Sequence, residues 1–132
     1  MTASSNLDLV MEGFSAMERG DLDAILELAD PDVVFVNPDG ALEPGMRQGK
    51  EGLRTGLGAL LDVFEDLRFD HQRIVELGDR VLVTGTFSAR GNGSGMTVHP
   101  SPFAILITMR EGRMVRYEWF LDEAAAEEAA NA

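Results

Sequence analysis

The C-terminal third of the chain alternates apolar and polar positions in a pattern that predicts a β-hairpin. Residues 103–109 form a branched apolar run, Glu111-Gly112 interrupts it, and residues 113–121 resume with strict alternation. Two runs of this kind separated by a short glycine-containing break are typical of paired antiparallel strands.

The second strand of this hairpin is predicted to divide its large side chains between two faces. Successive side chains of a strand point in opposite directions, so Arg116 and Glu118 are expected to face away from the apolar set. That apolar set consists of Val115, Tyr117, Trp119 and Leu121. Because the chain has one Tyr and one Trp, both on this face, the face is predicted to fill a core or line a cavity.

Apolar spacings of three and four predict three helices before the hairpin. Ser4, Ser5 or Asn6 caps the first, which ends at Gly20. The second is capped by Asp21 and stops at Asp30-Pro31, because the residue before proline avoids the α region. The third begins at Lys50. The apolar stripes of the three helices are Val10, Phe14 and Met17; Leu22, Ile25, Leu26 and Ala29; and Leu53, Leu57, Leu60, Leu61 and Phe64.

Glycines within the third helix indicate close packing. Gly52, Gly56 and Gly58 each cost about 1 kcal/mol relative to alanine in a helix interior. We therefore expect another element or a ligand to approach this helix closely, and packing is the preferred explanation.

The remaining segments predict strands and turns. Residues 33–36 are a short strand, and residues 37–49 are expected to be irregular. Residues 67–77 and 81–89 alternate on either side of a two-residue turn at Gly78-Asp79, which predicts a further hairpin with one apolar face on each strand.

A last strand and a last helix complete the pattern. Residues 91–95 predict a turn, and residues 96–109 a strand in which Pro100 and Pro102 place a bulge or an unpaired edge. A polar helix capped by Asp122 is expected to be peripheral or frayed.

This order of elements predicts the α+β class. The length of 132 residues suits a single domain spanning 1–132. A curved sheet wrapped around the third helix would enclose a pocket.

Charge and composition exclude several kinds of partner. The net charge of −12 disfavours nucleic acid and anionic membrane surfaces, which are bound by clustered Lys and Arg. The absence of cysteine excludes disulfides, thiolate nucleophiles and cysteine-ligated metals. The two histidines lack metal-ligand spacing, so we expect neither a metal nor a cofactor. The sequence has no apolar run long enough for a membrane span, and a cytoplasmic protein is expected.

Several local strings make the whole chain resemble the SnoaL-like branch of the nuclear transport factor 2 superfamily. They are residues 20–24 (GDLDA), 28–33 (LADPDV), 49–53 (GKEGL), 89–95 (ARGNGSG), 111–116 (EGRMVR) and 120–123 (FLDE). The resemblance implies a cystatin-like cone with an apolar pocket between the helices and the concave sheet, often dimerised through the outer sheet face. Relatives include ketosteroid isomerase, limonene epoxide hydrolase and polyketide cyclases, so the fold alone does not name a reaction.

The catalytic positions of these relatives carry other residues here. The resemblance places the base of ketosteroid isomerase at Asn37, an amide that cannot accept a proton, and its oxyanion tyrosine at Gly13. The third component is an acid within residues 96–110, where the chain has none. The acidic and basic positions of limonene epoxide hydrolase correspond to Thr86, Ser88 and Trp119.

Three residues are the candidate catalytic groups. Asn37 and Tyr117 would polarise a substrate oxygen, and His99 would move a proton, because the bulge near Pro100 can direct it into the cavity. His71 shares the phase of neighbouring apolar residues, so we interpret it as a satisfied core or interface histidine.

The predicted function is cofactor-free isomerisation, cyclisation or hydrolysis of a small apolar oxygenated substrate of polyketide or terpenoid type. The predicted substrate-binding wall consists of Phe14, Phe35, Leu57, Leu61, Phe87 and Trp119. The alternatives are a ligand-binding or assembly module without chemistry and a structural dimer whose cone is filled by its own side chains. A homodimer is expected because Leu82 and Phe120 join Arg116 and Glu118 on the outer sheet face.

Overall fold

A computed structural model describes residues 5–38, 45–91, 97–120 and 122–131. Its helices are α1 (Asn6–Arg19), α2 (Leu22–Glu27), α3 (Gly49–Val63) and α4 (Glu123–Ala130). Its strands are β1 (Ala29–Asn37), β2 (Gly45–Gln48), β3 (Phe64–Leu77), β4 (Arg80–Gly91), β5 (Thr97–Arg110) and β6 (Arg113–Phe120). The α+β class is therefore confirmed.

Caps define the first two helices as predicted. The Ser5 side chain accepts a hydrogen bond from the Asp8 amide, and α1 ends at Gly20 in the left-handed conformation, with a φ of 70°. Asp21 caps α2 through the Ala24 amide. The predicted end of α2 is wrong, because Ala29 already lies in β1 and pairs with Met114.

The six strands form one mixed sheet in the order β2-β1-β6-β5-β4-β3. Every neighbouring pair is antiparallel except β1 and β6, which are parallel. The prediction of an irregular segment up to Gly49 is wrong for its last part, since β2 pairs with β1. The start of β3 at Phe64 likewise removes that residue from the predicted third helix.

Two bulges change the predicted faces of β3 and β6. In β3 the register shifts between His71 and Arg73, so Val75 packs on the outer sheet face although His71 lies on the inner one. In β6 it shifts beside Met114, which replaces Val115 in the core. A bulge inserts one unpaired residue and increases the local twist, which allows a long strand to curve.

The concave face of the sheet packs on α1, α2 and α3 and holds the main core. Val33 and Phe35 from β1, and Ile105 and Ile107 from β5, are at most 1% exposed. Among the described residues no helix is long and apolar enough to span a membrane.

Helix α4 covers part of the outer face, so it is peripheral, one of the two predicted alternatives, and it is not frayed. Ala126 and Ala130 are buried against Leu82, Ala104 and Leu106. The predicted exposure of Leu82 on this face is also wrong, because the residue is 3% exposed. Small alanine side chains allow the helix to lie close to the sheet.

Candidate functional site

Four aromatic rings form a continuous surface between α1 and the concave face of the sheet. Phe103 of β5 lies 5.4 Å from the Phe69 ring, 5.9 Å from Phe14 and 6.1 Å from Trp119, measured between ring centroids. Phe14 also contacts Phe69 edge-to-face at 5.2 Å. We call Phe14, Phe69, Phe103 and Trp119 the aromatic wall.

The wall has a buried back and a partly exposed front. Phe14 and Phe103 are 3% and 4% exposed. Phe69 and Trp119 are only partly buried, as is Phe87, which pairs with Phe69 across β3 and β4. Partly exposed aromatic rings in one cluster offer flat apolar surface to a ligand.

His71 adjoins this wall with an unsatisfied nitrogen. Its ring packs edge-to-face on Phe14 at 4.6 Å and lies 6.3 Å from Phe103. The Nε2 atom is buried and has no hydrogen-bond partner among the described residues. A buried polar group without a partner costs about 1–3 kcal/mol, so the expectation of a satisfied histidine is wrong.

Tyr117 lies deeper than Trp119, on the predicted inner face. Its ring stacks on Phe35 at 5.5 Å with an interplanar angle of 22° and lies 6.0 Å from Trp119. Burial raises the pKa of the Tyr117 phenol well above its ordinary value. The residue is therefore a neutral phenol at physiological pH.

A narrow gap beside Tyr117 separates α1 and α2 from the sheet. The gap is too narrow for a water molecule. It is lined by Val10, Gly13, Phe14, Ile25, Ile107, Met114 and Tyr117. Gly13, where ketosteroid isomerase is expected to carry its oxyanion tyrosine, thus lies beside this chain's own tyrosine.

Asn37 lies at the end of β1, on the rim of the cone. It pairs with Gly45 of β2, and it is half-buried, two residues beyond the pairing of Phe35 with Tyr117. Arg47 of β2 pairs with Phe35 and is also half-buried. Both polar residues flank the edge of the site nearest to β2.

His99 lies within β5 at an irregular step of the ladder. Phe87 pairs with Ser101 and Ala89 with Val98, so His99 and Pro100 face the single residue between Phe87 and Ala89. This bulge was predicted from the prolines. The His99 side chain lies outside the described residues, and its catalytic role stays a prediction.

The predicted substrate-binding residues fall into two groups. Phe35 and Leu57 are 1% exposed and belong to the core, and Phe14 forms part of the buried back of the aromatic wall. Leu61, Phe87 and Trp119 are partly buried and pack against that core. Phe69 and Phe103 were missed, although the alternation of residues 67–71 indicated an inward Phe69 beside His71.

Charged side chains near the site are few. The Glu18 carboxylate of α1 accepts a hydrogen bond of 2.8 Å from the Phe69 amide at the free edge of β3. Within residues 5–38, 45–91, 97–120 and 122–131 no three His, Asp or Glu side chains lie together in a way that could hold a metal ion. The described site can thus offer ring stacking, an imidazole and a phenol.

Comparison with known proteins extends the resemblance. The family model described as SnoaL-like domain matches residues 10–117. No curated protein matches.

Solved structures similar to this chain cover nearly its full length. TerC co-crystallised with polyporic acid is 28% identical, covers 98% of this chain and 100% of its own, and superposes with a TM-score of 0.77. An NTF2-like protein of unknown function from Burkholderia pseudomallei K96243 is 25% identical over 98% of this chain and 100% of its own, with a TM-score of 0.79. A protein provisionally classed as a SnoaL-like polyketide cyclase, from Jannaschia sp. CCS1, is 18% identical over 100% and 99%, with a TM-score of 0.76, and shows likeness of fold alone.

Proposed function

The chain belongs to the SnoaL-like domain family, and we propose that it binds a flat, oxygen-bearing apolar molecule against the aromatic wall. The observation that carries this proposal is the partial exposure of Phe69 and Trp119 on a surface otherwise backed by buried rings. Rings in contact with one another are rigid, so stacking on them costs little conformational entropy.

The ligand class is supported by one relative. TerC, which is 28% identical to this chain, was co-crystallised with polyporic acid. Polyporic acid is a flat aryl-substituted hydroxyquinone, and its shape and apolar faces suit an aromatic wall. We therefore propose aryl-substituted, oxygenated rings of polyketide-like character as ligands.

Catalysis by proton transfer without a cofactor is the proposed activity. Asn37 and Tyr117 would polarise the substrate oxygen and His99 would carry the proton. The buried, neutral phenol of Tyr117 supports a donor role, since a neutral phenol can donate to a developing oxyanion.

A non-catalytic binding or assembly module is the second candidate. The narrow gap beside Tyr117 favours it, because a ligand stacked on the exposed front of the aromatic wall would not reach the phenol. Turnover that depends on Tyr117 would decide for the enzyme, and binding without turnover would decide for the module.

Ligand binding is tested through the single tryptophan. Because Trp119 belongs to the wall and is the chain's one Trp, its fluorescence should change when polyporic acid is added, and calorimetry should give a matching affinity. Phe69→Ala should weaken binding at least about tenfold, whereas Phe120→Ala, an equal truncation on the outer face, should not. Equal effects of both substitutions would contradict binding at the wall.

We further propose a cytoplasmic homodimer that uses the outer face beyond α4. Met46 is 70% exposed and shares that face with Val36 and Glu118, to which Arg116 donates a hydrogen bond of 2.6 Å. Methionine and arginine are both enriched at protein interfaces, so this face is the proposed contact surface between two copies of the chain.

A further inference from the structure

We propose that His71 is a ligand-binding residue of this site and that its Nε2 atom takes the proton of an acidic ring hydroxyl of the ligand, so that the resulting N–H donates a hydrogen bond to the ligand oxyanion. This inference rests on the proposed function and deepens it, because it selects hydroxylated rings over their unhydroxylated counterparts.

The first argument is the unsatisfied nitrogen. Buried polar atoms in folded proteins are almost always hydrogen-bonded, and each exception requires an explanation. Nε2 of His71 is such an exception among the described residues. A hydrogen-bonding group supplied by the ligand explains why this position carries a histidine and not a phenylalanine.

The second argument is the fixed orientation of the imidazole. Phe14 of α1 holds the ring edge-to-face at 4.6 Å, and Phe103 of β5 lies 6.3 Å away at an interplanar angle of 76°. Opposite His71, β4 carries Gly85, which has no side chain to offer a hydrogen bond. This packing places the imidazole directly against the two buried rings of the aromatic wall, next to the surface on which the proposed ligand would stack.

The third argument concerns the charges of the neighbourhood. The Glu18 carboxylate of α1 already accepts a hydrogen bond from the Phe69 amide, and the residue before His71 on β3, Asp70, is exposed. A ligand hydroxyl that gives its proton to Nε2 breaks its O–H bond and forms an N–H bond, which leaves an imidazolium beside a ligand oxyanion. The pair stays neutral overall, as an apolar wall requires.

The test compares two ligands that differ only in their hydroxyls. Polyporic acid carries two ring hydroxyls, and 2,5-diphenyl-1,4-benzoquinone has the same skeleton without them. Wild-type protein should prefer polyporic acid, and His71→Phe, which keeps an aromatic ring in the packing, should reduce that preference at least about tenfold. The affinity for the unhydroxylated quinone should remain within about twofold. An unchanged preference in His71→Phe would overturn the inference.

A spectroscopic measurement on the unmodified residue covers the case in which His71→Phe fails to fold. The chain has two histidines, so ¹⁵N-edited imidazole spectra are simple, and a His99→Gln variant identifies the signals of His71. Polyporic acid should shift the His71 Nε2 resonance by several ppm or more, and the unhydroxylated quinone should not. If Trp119 fluorescence reports binding while the His71 signals do not move, this inference fails and the proposed function stands. If neither ligand binds, the proposed function itself fails.

Discussion

Gly56 of α3 lies so close to Phe35 of β1 that a Cβ atom on the glycine would stand 2.3 Å from Cε1 of the phenylalanine ring. The ring cannot easily yield, because it is 1% exposed and stacks on Tyr117 at 5.5 Å. The glycine therefore sets the distance between α3 and the sheet. Packing explains it, as expected from the sequence.

Gly56→Ala is accordingly expected to destabilise the protein. Overpacking typically costs about 1–3 kcal/mol, which outweighs the gain of about 1 kcal/mol in helix propensity. Gly58→Ala is the matched control in the same helix, since its Cβ would meet only Leu22 at an ordinary 3.8 Å. That variant should gain up to about 1 kcal/mol in the free energy of unfolding measured by urea denaturation. Equal stability of the two variants would contradict the close approach of α3.

Local patterns in the sequence predict most of the elements but not their long-range pairing. Alternation in residues 81–89 identifies the inward positions of β4 correctly, with Val81 and Val83 fully buried. The parallel pairing of β1 with β6 joins segments about eighty residues apart, and no turn residue indicates it. The strand β2 is short and is defined by its pairing with β1, so its own sequence gives little indication of a strand.

Bulges explain the errors in the predicted faces of β3 and β6. A shift of one residue reverses which side chains face inward, and the shift after His71 separates the inward half of β3 from the outward half that carries Val75. Alternation alone predicts that the inward side chains follow one uninterrupted face along the whole strand. The orphaned nitrogen of His71 depends on the packing of Phe14 and Phe103 from two distant elements, which periodicity does not specify.

Helix α4 provides a second test, directed at its contact with the outer face. Ala126 is 0% exposed, so Ala126→Glu would force a carboxylate against Leu82 and Leu106. We expect α4 to detach, with faster hydrogen exchange in residues 123–130 and a loss of stability of at least about 1 kcal/mol. Ala125→Glu, on the exposed side of the same turn, should leave exchange unchanged.

Two arginines of the sheet also bind α4. Arg73 of β3 pairs with Glu127 at 2.5 Å and Glu123 at 3.2 Å, and Arg80 of β4 donates to the Ala130 carbonyl oxygen at 2.5 Å. The Glu127 and Glu123 side chains raise the pKa of Arg73. These exposed pairs are screened by salt, so exchange in α4 should rise modestly at high ionic strength. If hydrogen exchange in α4 were as slow in the Ala126→Glu variant as in wild type, the helix would not depend on the contact of Ala126 with the outer face.

The proposed dimer is tested at Met46. Met46→Glu would add a negative charge to the outer face that also carries Glu118 and should shift sedimentation velocity profiles towards monomer at tens of micromolar. Val63→Glu, at another exposed apolar residue, is the control and should sediment like wild type. A wild-type protein that sediments only as monomer at these concentrations would contradict the proposed homodimer.

Tyr117 gives the last prediction, which concerns alkaline stability. Burial raises the pKa of the Tyr117 phenol in the folded protein, whereas the pKa of a tyrosine in the unfolded chain is about 10. The stabilising contribution is therefore complete below about pH 10 and is lost as the pH rises above that value, because only the unfolded state then releases the proton. The loss is about 1.4 kcal/mol per pH unit.

Tyr117→Phe removes this loss and leaves other alkaline titrations in place, so the difference between wild type and variant isolates the phenol. The free energy of unfolding of wild type should fall more steeply than that of the variant between about pH 10 and 12. Because Tyr117 is the chain's single tyrosine, absorbance at about 295 nm reports its ionisation directly, and phenolate should form only together with unfolding. A reversible phenolate signal near pH 10 in the folded protein would mean that the phenol is open to solvent, and its stacking on Phe35 would then not seal the deep end of the cone.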